Sequence, residues 1–330
     1  MKFLKYLIIS LFLFTQISTF ATENQYKNVF SLDWQNDIGF SDRYYTDAIK
    51  LSYTNKDKDW YATYLQFEFL DLFLDFDNKT FFQSVSIGQD MYVGYDIENA
   101  TPPLDDRPYS GFLYTTFTAH AMGENTLDSF SITLGLTGKY SLAEDAQKFV
   151  HSIIDSPEPM GWDNQVGTHF GFVLTYQHAR RLYTYKLSEN FSMDLTGMGQ
   201  VNLGNVLIDG SLKAMFRFGF NLPNSYDFVN IDYANAKDVG IAENGDDWHA
   251  YIFVGAKASA VAYDISLDGS TYNVDYDIEK EYITGSAYFG FSTRYDCFQI
   301  DYSFIIASDT FKTQKGGLDY MSIISFKYLR

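Results

Sequence analysis

The sequence predicts an all-β protein, an antiparallel transmembrane β-barrel, on three observations. Segments of about ten residues alternate apolar and polar side chains, and that is the length a tilted strand needs to cross a bilayer. Aromatic residues make up 18 % of the chain, with 27 Tyr and 30 Phe, enough to supply girdles at two membrane interfaces. The chain opens with MKFLKYLIISLFLFTQISTFA, two lysines before a short apolar run that ends at Thr19 and Ala21. This reads as a secretory signal peptide over residues 1–21, because the apolar core is short and no stop-transfer pattern follows it. Residues 22–330 are then expected to form one outer-membrane barrel domain.

Each strand follows from the period of two. Ala48, Lys50, Ser52 and Thr54 alternate with Ile49, Leu51 and Tyr53. Leu212, Ala214, Phe216, Phe218 and Phe220 alternate with Lys213, Met215, Arg217 and Gly219, and Phe298, Ile300, Tyr302 and Phe304 with Gln299, Asp301 and Ser303. A soluble sandwich would show the same alternation with the apolar face inside. Lys213 and Arg217 in an otherwise apolar strand suit a hydrated barrel interior better. The last segment, YMSIISFKYLR, still alternates. Polar stretches at 95–111, 141–165, 221–247 and 267–282 interrupt the pattern and are expected to be loops. No run of eighteen apolar residues follows residue 21, so no transmembrane helix is expected.

One of these loops carries helix signals. Ser141 and Glu144 stand three apart, the spacing of a capping box. Leu142, Ala146, Phe149, Val150 and Ile153 form a broad apolar side, whereas Gln147 and His151, four apart, share another face. Pro157 and Pro159 stop the helix, and Trp162 reads as a packing anchor for its tail.

Composition excludes some partners. The formal charge of −18 becomes about −20 once Lys2 and Lys5 leave with the signal peptide. Phosphate backbones are bound by Lys/Arg patches, so a nucleic-acid partner is disfavoured. A polyanionic ligand would need a local basic patch or a divalent cation. Cys297 is the only cysteine, which rules out an intrachain disulfide and a cysteine-based zinc site.

Three polar clusters are candidates for chemistry. Asn36 and Asp37 offer an amide and a carboxylate oxygen side by side, a donor pair that a hard cation such as Ca²⁺ accepts, although an ordinary Asn-Asp turn reads the same way. Thr46 opens the next strand with the parity of Ala48 and Lys50, which points it inward. Arg107, in DDRPYSG, can grip a phosphate in bidentate fashion or pair with Asp105 or Asp106. His151 has the chemistry of a general base near neutral pH, or is a plain surface histidine.

Taken together and in order, Asn36-Asp37, DRYYTDAIKLSY, GQDMY, DDRPYSG and QKFVHSIIDSPEPMGWDNQ resemble the outer-membrane lipid A 3′-O-deacylases, the LpxR family. LGNV, NLPNSYD and YDISLDGS extend the resemblance over essentially the whole mature chain. It implies a barrel of about twelve strands, with one short helix in an extracellular loop beside the wall. It also implies Ca²⁺-dependent hydrolysis of the 3′-linked acyloxyacyl ester of lipid A. Carried over, His151 would be the general base, Asp37 would orient it or hold Ca²⁺, Asn36 and Thr46 would position metal or ligand, and Gln147 would steady the site. Asp37 and Asn36 are the implied metal ligands, Arg107 a substrate contact, and lipopolysaccharide in the outer membrane the partner of a monomeric enzyme. Some members carry a basic pair after GQxMY, whereas residues 95–104 here contain no Lys or Arg. Two other functions fit the pattern. One is an outer-membrane phospholipase with Ser152 or Ser156 as nucleophile. The other is a structural barrel or small pore with the helix inside the lumen.

Overall fold

The computed structural model describes residues 27–37, 43–56, 79–229, 238–240, 248–269, 276 and 278–330. The signal-peptide segment and parts of the predicted loops at 221–247 and 267–282 lie outside these residues.

Twelve antiparallel strands form one closed barrel: β1 (Asn28–Asn36), β2 (Tyr44–Asn55), β3 (Thr80–Val93), β4 (Ser110–Met122), β5 (Thr126–Thr137), β6 (Phe170–Lys186), β7 (Phe191–Gly204), β8 (Leu207–Phe220), β9 (Trp248–Asp264), β10 (Ile283–Tyr295), β11 (Phe298–Ala307) and β12 (Asp319–Leu329). Every strand pairs with its sequence neighbours, and β1 closes on β12 from Val29↔Leu329 to Asn36↔Ser322. Closure satisfies every edge, which a strand protein in lipid requires. The helix α1 (Ala143–Ile154) lies between β5 and β6, and a single turn, α2 (Ile265–Asp268), follows β9.

The side-chain pattern is that of a barrel in lipid. Along β8, Leu212 is 72 % exposed while Lys213, Met215 and Arg217 are buried inside. Ile49 and Leu51 of β2 likewise point outward, with Ala48, Lys50, Ser52 and Thr54 inside. Phe298 and Ile300 of β11 face outward against inward Gln299, Asp301 and Ser303.

At the end of the barrel where β1 starts and β12 ends, described residues of the connection after β8 fold into the lumen. Tyr226, Phe228 and Val239 are buried among the inward side chains Phe82, Met122, Leu127, Ala179, Met198 and Met215. Ionic contacts fasten this segment. Lys327 of β12 reaches Asp227 at 2.8 Å, Asp238 at 2.9 Å and Asp301 at 2.9 Å. Arg217 holds Asp194 and donates to Ser225 Oγ at 2.9 Å and the Pro223 carbonyl at 3.2 Å. This loop segment, and not α1, therefore occupies the lumen, which removes the helix plug from the pore alternative.

Candidate functional site

The opposite rim of the barrel carries α1, which sits against the outside of the wall. Met91 of β3 has the parity of exposed Ile87, and Gly111 of β4 that of exposed Phe117, so both are outward positions. Both are nevertheless covered. Met91 and Val93 are buried in a cluster with Ile97, Tyr109, Ala143 and Trp162, and a Cβ on Gly111 would lie 2.2 Å from Ser141 Oγ and 2.4 Å from Ala143 Cβ. Gln89, also outward, donates to the Ser141 carbonyl at 2.6 Å. Glycine at 111 is thus what lets the helix begin flush with the strand.

That seat alters the helix start. Ser141 is not the N-cap residue of α1; its hydroxyl donates to the Gly138 carbonyl at 2.6 Å inside a preceding 3₁₀ turn and accepts from Ala143 N only at 3.4 Å, and Leu142 in a left-handed conformation (φ 58°) takes the cap position. Glu144 pairs with Lys148 at 2.9 Å instead of closing a capping box, and that hydrogen bond raises the pKa of the Lys148 ammonium. The predicted stop is met two residues before Pro157, at Asp155 in a left-handed conformation (φ 59°).

The helix presents its faces in an unexpected sense. Gln147 and His151 are buried (3 % and 7 % exposed), whereas Phe149, at 66 %, and Ile153 are exposed. On the outside of a barrel, an exposed apolar helix face is a lipid-facing one, and the polar stripe turns toward protein. Trp162, in a 3₁₀ turn at Gly161–Asn164, donates its indole N–H to Gln147 Oε1 at 2.8 Å and meets the Tyr109 ring edge-on at 5.0 Å. A Cβ on Gly161 would fall 2.2 Å from that ring. Val166 N donates to the Tyr109 carbonyl at 2.8 Å. The DDRPYSG and GWDNQ segments are therefore one packing unit that fixes Gln147 and, a helical turn on, His151.

The ring of His151 is fixed by its own tail. Nδ1 lies 2.5 Å from the Pro157 carbonyl, and the His151 carbonyl accepts from Ser156 N at 3.1 Å as the chain doubles back. A carbonyl only accepts, so Nδ1 carries the proton, and in the neutral ring Nε2 holds the basic lone pair.

The strand-borne candidates reach the same rim through one register row. Asn36 pairs with Asp47, Asp47 with Met91, and Met91 with Gly111. With roughly 4.8 Å between neighbouring strands, Asp47 stands one strand from the Met91 that carries the helix cluster, and Asn36 stands two. Asn36 follows outward Phe30, Leu32 and Trp34 on β1, and Asp47 accepts the Trp34 indole N–H at 3.1 Å. Asp37, just past β1, accepts from Arg43 N at 3.3 Å. Thr46 is buried, at the point where the register shifts by one residue between Tyr45 and Asp47, and Tyr44 and Tyr45 beside it border the lumenal cavity. Sequence reading missed Asp47, whose signal was its parity opposite to inward Lys50.

Arg107 lies elsewhere. It is buried at the mouth of the lumen, where its guanidinium donates to Ser266 Oγ at 3.0 Å and Thr310 Oγ1 at 2.9 Å and stacks over Tyr92 at 4.7 Å. Asp106 serves the backbone N–H groups of Tyr95 and Arg107 and does not pair with the guanidinium. Arg107 borders a lumenal cavity of about 190 Å³ with Asp209, Lys257, Glu281 and Asp319. Ser152 donates to the Phe149 carbonyl at 2.7 Å, and Ser156 meets His151 only through its backbone N–H. Neither serine is arranged as a nucleophile for that histidine. His120, held by Ser84 and Ser129, is buried inside the barrel, as is His249.

Among the described residues, no group of three or more His, Cys, Asp or Glu side chains is gathered to hold a metal ion. The oxygens of Asn36, Asp37, Thr46 and Asp47 are of the hard type that Ca²⁺ takes, and its roughly six to eight ligands would have to be completed by water or a bound molecule.

Comparison with known proteins adds the family. The family model described as outer membrane protein LpxR matches residues 7–328. Among solved structures, LpxR from Salmonella typhimurium superposes with a TM-score of 0.74 at 14 % identity, covering 92 % of this chain and 100 % of that one. The β domain of the Bordetella autotransporter BrkA reaches a TM-score of only 0.40 at 9 % identity, over 93 % of this chain and 99 % of that one. No curated protein matches the sequence. Closed barrel, lipid-facing exterior and family match agree on the outer membrane as its location, and the chain belongs to the LpxR family of outer-membrane proteins.

Proposed function

We propose that this protein is a lipid A deacylase that hydrolyses the 3′-linked acyloxyacyl ester, with the α1 rim exposed to the cell exterior and His151 as general base. The observation that carries the reading is the combination at α1. A histidine with its Nδ1 proton tied to a backbone carbonyl is held on a helix that turns its polar stripe to the barrel wall and its apolar side to lipid. A substrate whose acyl chains remain in the bilayer can present its ester to such a face without leaving the membrane.

In this reading Nε2 of His151 removes a proton from water as it attacks the ester carbonyl, and later returns it to the departing sugar hydroxyl. Fixing the tautomer keeps the basic nitrogen available on every turnover. Gln147 and Trp162 hold the helix against the barrel wall, and in this reading water enters from the polar rim beside Asn36, Asp37 and Asp47. Asp37 and Asn36, with Thr46, are the residues that would hold Ca²⁺. When bound, the cation supplies Lewis-acid polarisation of the ester carbonyl.

The test is hydrolysis of purified lipid A by the detergent-solubilised chain. Wild type is expected to release the acyloxyacyl acid, to lose activity in EDTA and to resist serine-directed inhibitors, and His151→Gln to be inactive. Inhibition by a serine reagent with indifference to EDTA would favour a phospholipase-type mechanism instead.

A further inference from the structure

The chain is strongly acidic, yet two cations meet at one point of the rim. Arg43, in the connection before β2, and Lys315, in the connection before β12, both lie against the half-exposed ring of Tyr95, at 5.6 Å and 5.7 Å from its centroid. Among the described residues neither forms an ion pair with a carboxylate.

The arrangement is built. Arg43 also lies over Tyr44 at 5.8 Å. Tyr44 Oη accepts from Lys315 N at 2.8 Å and donates to the Lys315 carbonyl at 3.3 Å, which fixes the second loop against the first. Gly316 has φ +87°, and a Cβ there would sit 1.9 Å from Arg43 Nη1, so glycine both permits the turn and lets the guanidinium lie flat on it. Asp106 fixes Tyr95 by accepting its backbone N–H at 2.8 Å. Two carboxylates stand near: Asp37 accepts the Arg43 backbone N–H, and Asp319 accepts from Gln314 at 2.8 Å and lies within the field of Arg43 and Arg107 without an ion-pair contact to Arg43. The same Asp37 contact ties the cations to the candidate site.

Tyr95 opens the connection after GQDMY, the segment that has no Lys or Arg of its own through residue 104. The other two loops bring the positive charge to it. We propose that Arg43 and Lys315, converging on Tyr95, form an anion subsite that receives a phosphate of the glycolipid headgroup. The assignment deepens the deacylase reading and rests on it for the identity of the lipid. Two cations with a planar guanidinium suit a phosphate monoester, and the aromatic ring gives both a common seat, with Arg43 also donating to the Gly316 carbonyl at 3.4 Å and Lys315 exposed.

Binding of the full-length, detergent-solubilised chain to lipid A and to phosphatase-treated lipid A tests this by thermophoresis. Wild type is expected to prefer the phosphorylated form about tenfold, and Arg43→Gln/Lys315→Gln to bind both forms equally. The proposal is overturned if wild type shows no preference or if the double variant keeps it. Should the double variant fail to insert, Lys315→Gln alone, at an exposed position, is expected to lose about threefold of the preference, and an unchanged preference would again overturn the proposal. Displacement of the lipid by an equal concentration of inorganic phosphate would overturn the headgroup as source. Hydrolysis followed on the same samples separates the two ideas: preference without ester cleavage would sink the deacylase reading and leave the subsite standing.

Discussion

Replacing Trp162 by alanine separates the helix dock from the barrel. The side chain is 1 % exposed, packs on Tyr109 and donates to the buried Gln147. Truncating a buried aromatic of this size costs about 3–5 kcal/mol. Leaving the Gln147 oxygen without its donor adds about 1–3 kcal/mol, less than additively because the two losses share one site. The twelve ladders of the barrel do not involve Trp162, so the whole cost falls on the seating of α1. At about 1.4 kcal/mol per tenfold, undocking should cut hydrolysis at least a hundredfold. The barrel should keep its heat-modifiable migration on gels, while the 138–169 connection becomes open to protease. Trp162→Phe keeps most of the ring and loses only the indole hydrogen bond, so about a tenfold loss is expected. An alanine variant with full activity and an equally protected helix would refute the claim that this unit positions His151.

Other consequences follow from the same contacts. Gly161→Ala puts a methyl into the Tyr109 ring and should weaken hydrolysis without changing barrel migration. Lys327→Ala leaves three carboxylates buried without their cation, with an expected stability loss of about 3–5 kcal/mol; a lowered thermal midpoint and new conductance in planar bilayers check it, and an unchanged midpoint would refute it. Wild type, with its lumen filled by the segment after β8, should conduct little. EDTA should abolish hydrolysis and added Ca²⁺ restore it, measured by fatty-acid release; activity that survives chelation would remove the metal from the account.

Much of the barrel was legible because lipid imposes a strict period of two: the stretches around Lys50, Lys213 and Asp301 are strands with the facing read from sequence. The helix was legible from Gln147 and His151 sharing a face, but its orientation was not. Amphipathic patterning tells which residues belong together and not which side the membrane takes, and here the greasy side is the exposed one. The capping box failed because Ser141 sits one residue before the cap, donating to Gly138 beside the close approach at Gly111, and Glu144 turns to Lys148, a tertiary constraint with no local signature. Thr46 is buried, as its parity implied, but the one-residue register shift at it is invisible in an alternating sequence. Arg107 was read as a phosphate contact or a partner of Asp105 or Asp106, and only the fold shows that its guanidinium spans to Ser266 and Thr310, more than 150 residues away. Asp47 and Arg43 were passed over because their meaning lies in cross-strand and loop partners.

The most direct test of the central claim is mass spectrometry of lipid A from a deacylase-free Gram-negative host that expresses either the wild-type chain or His151→Ala, with Ca²⁺ present. Loss of the 3′ acyloxyacyl mass is expected with wild type and intact lipid A with the variant, both barrels being inserted. Unchanged lipid A beside a correctly inserted wild-type barrel, or full conversion by His151→Ala, would contradict the claim.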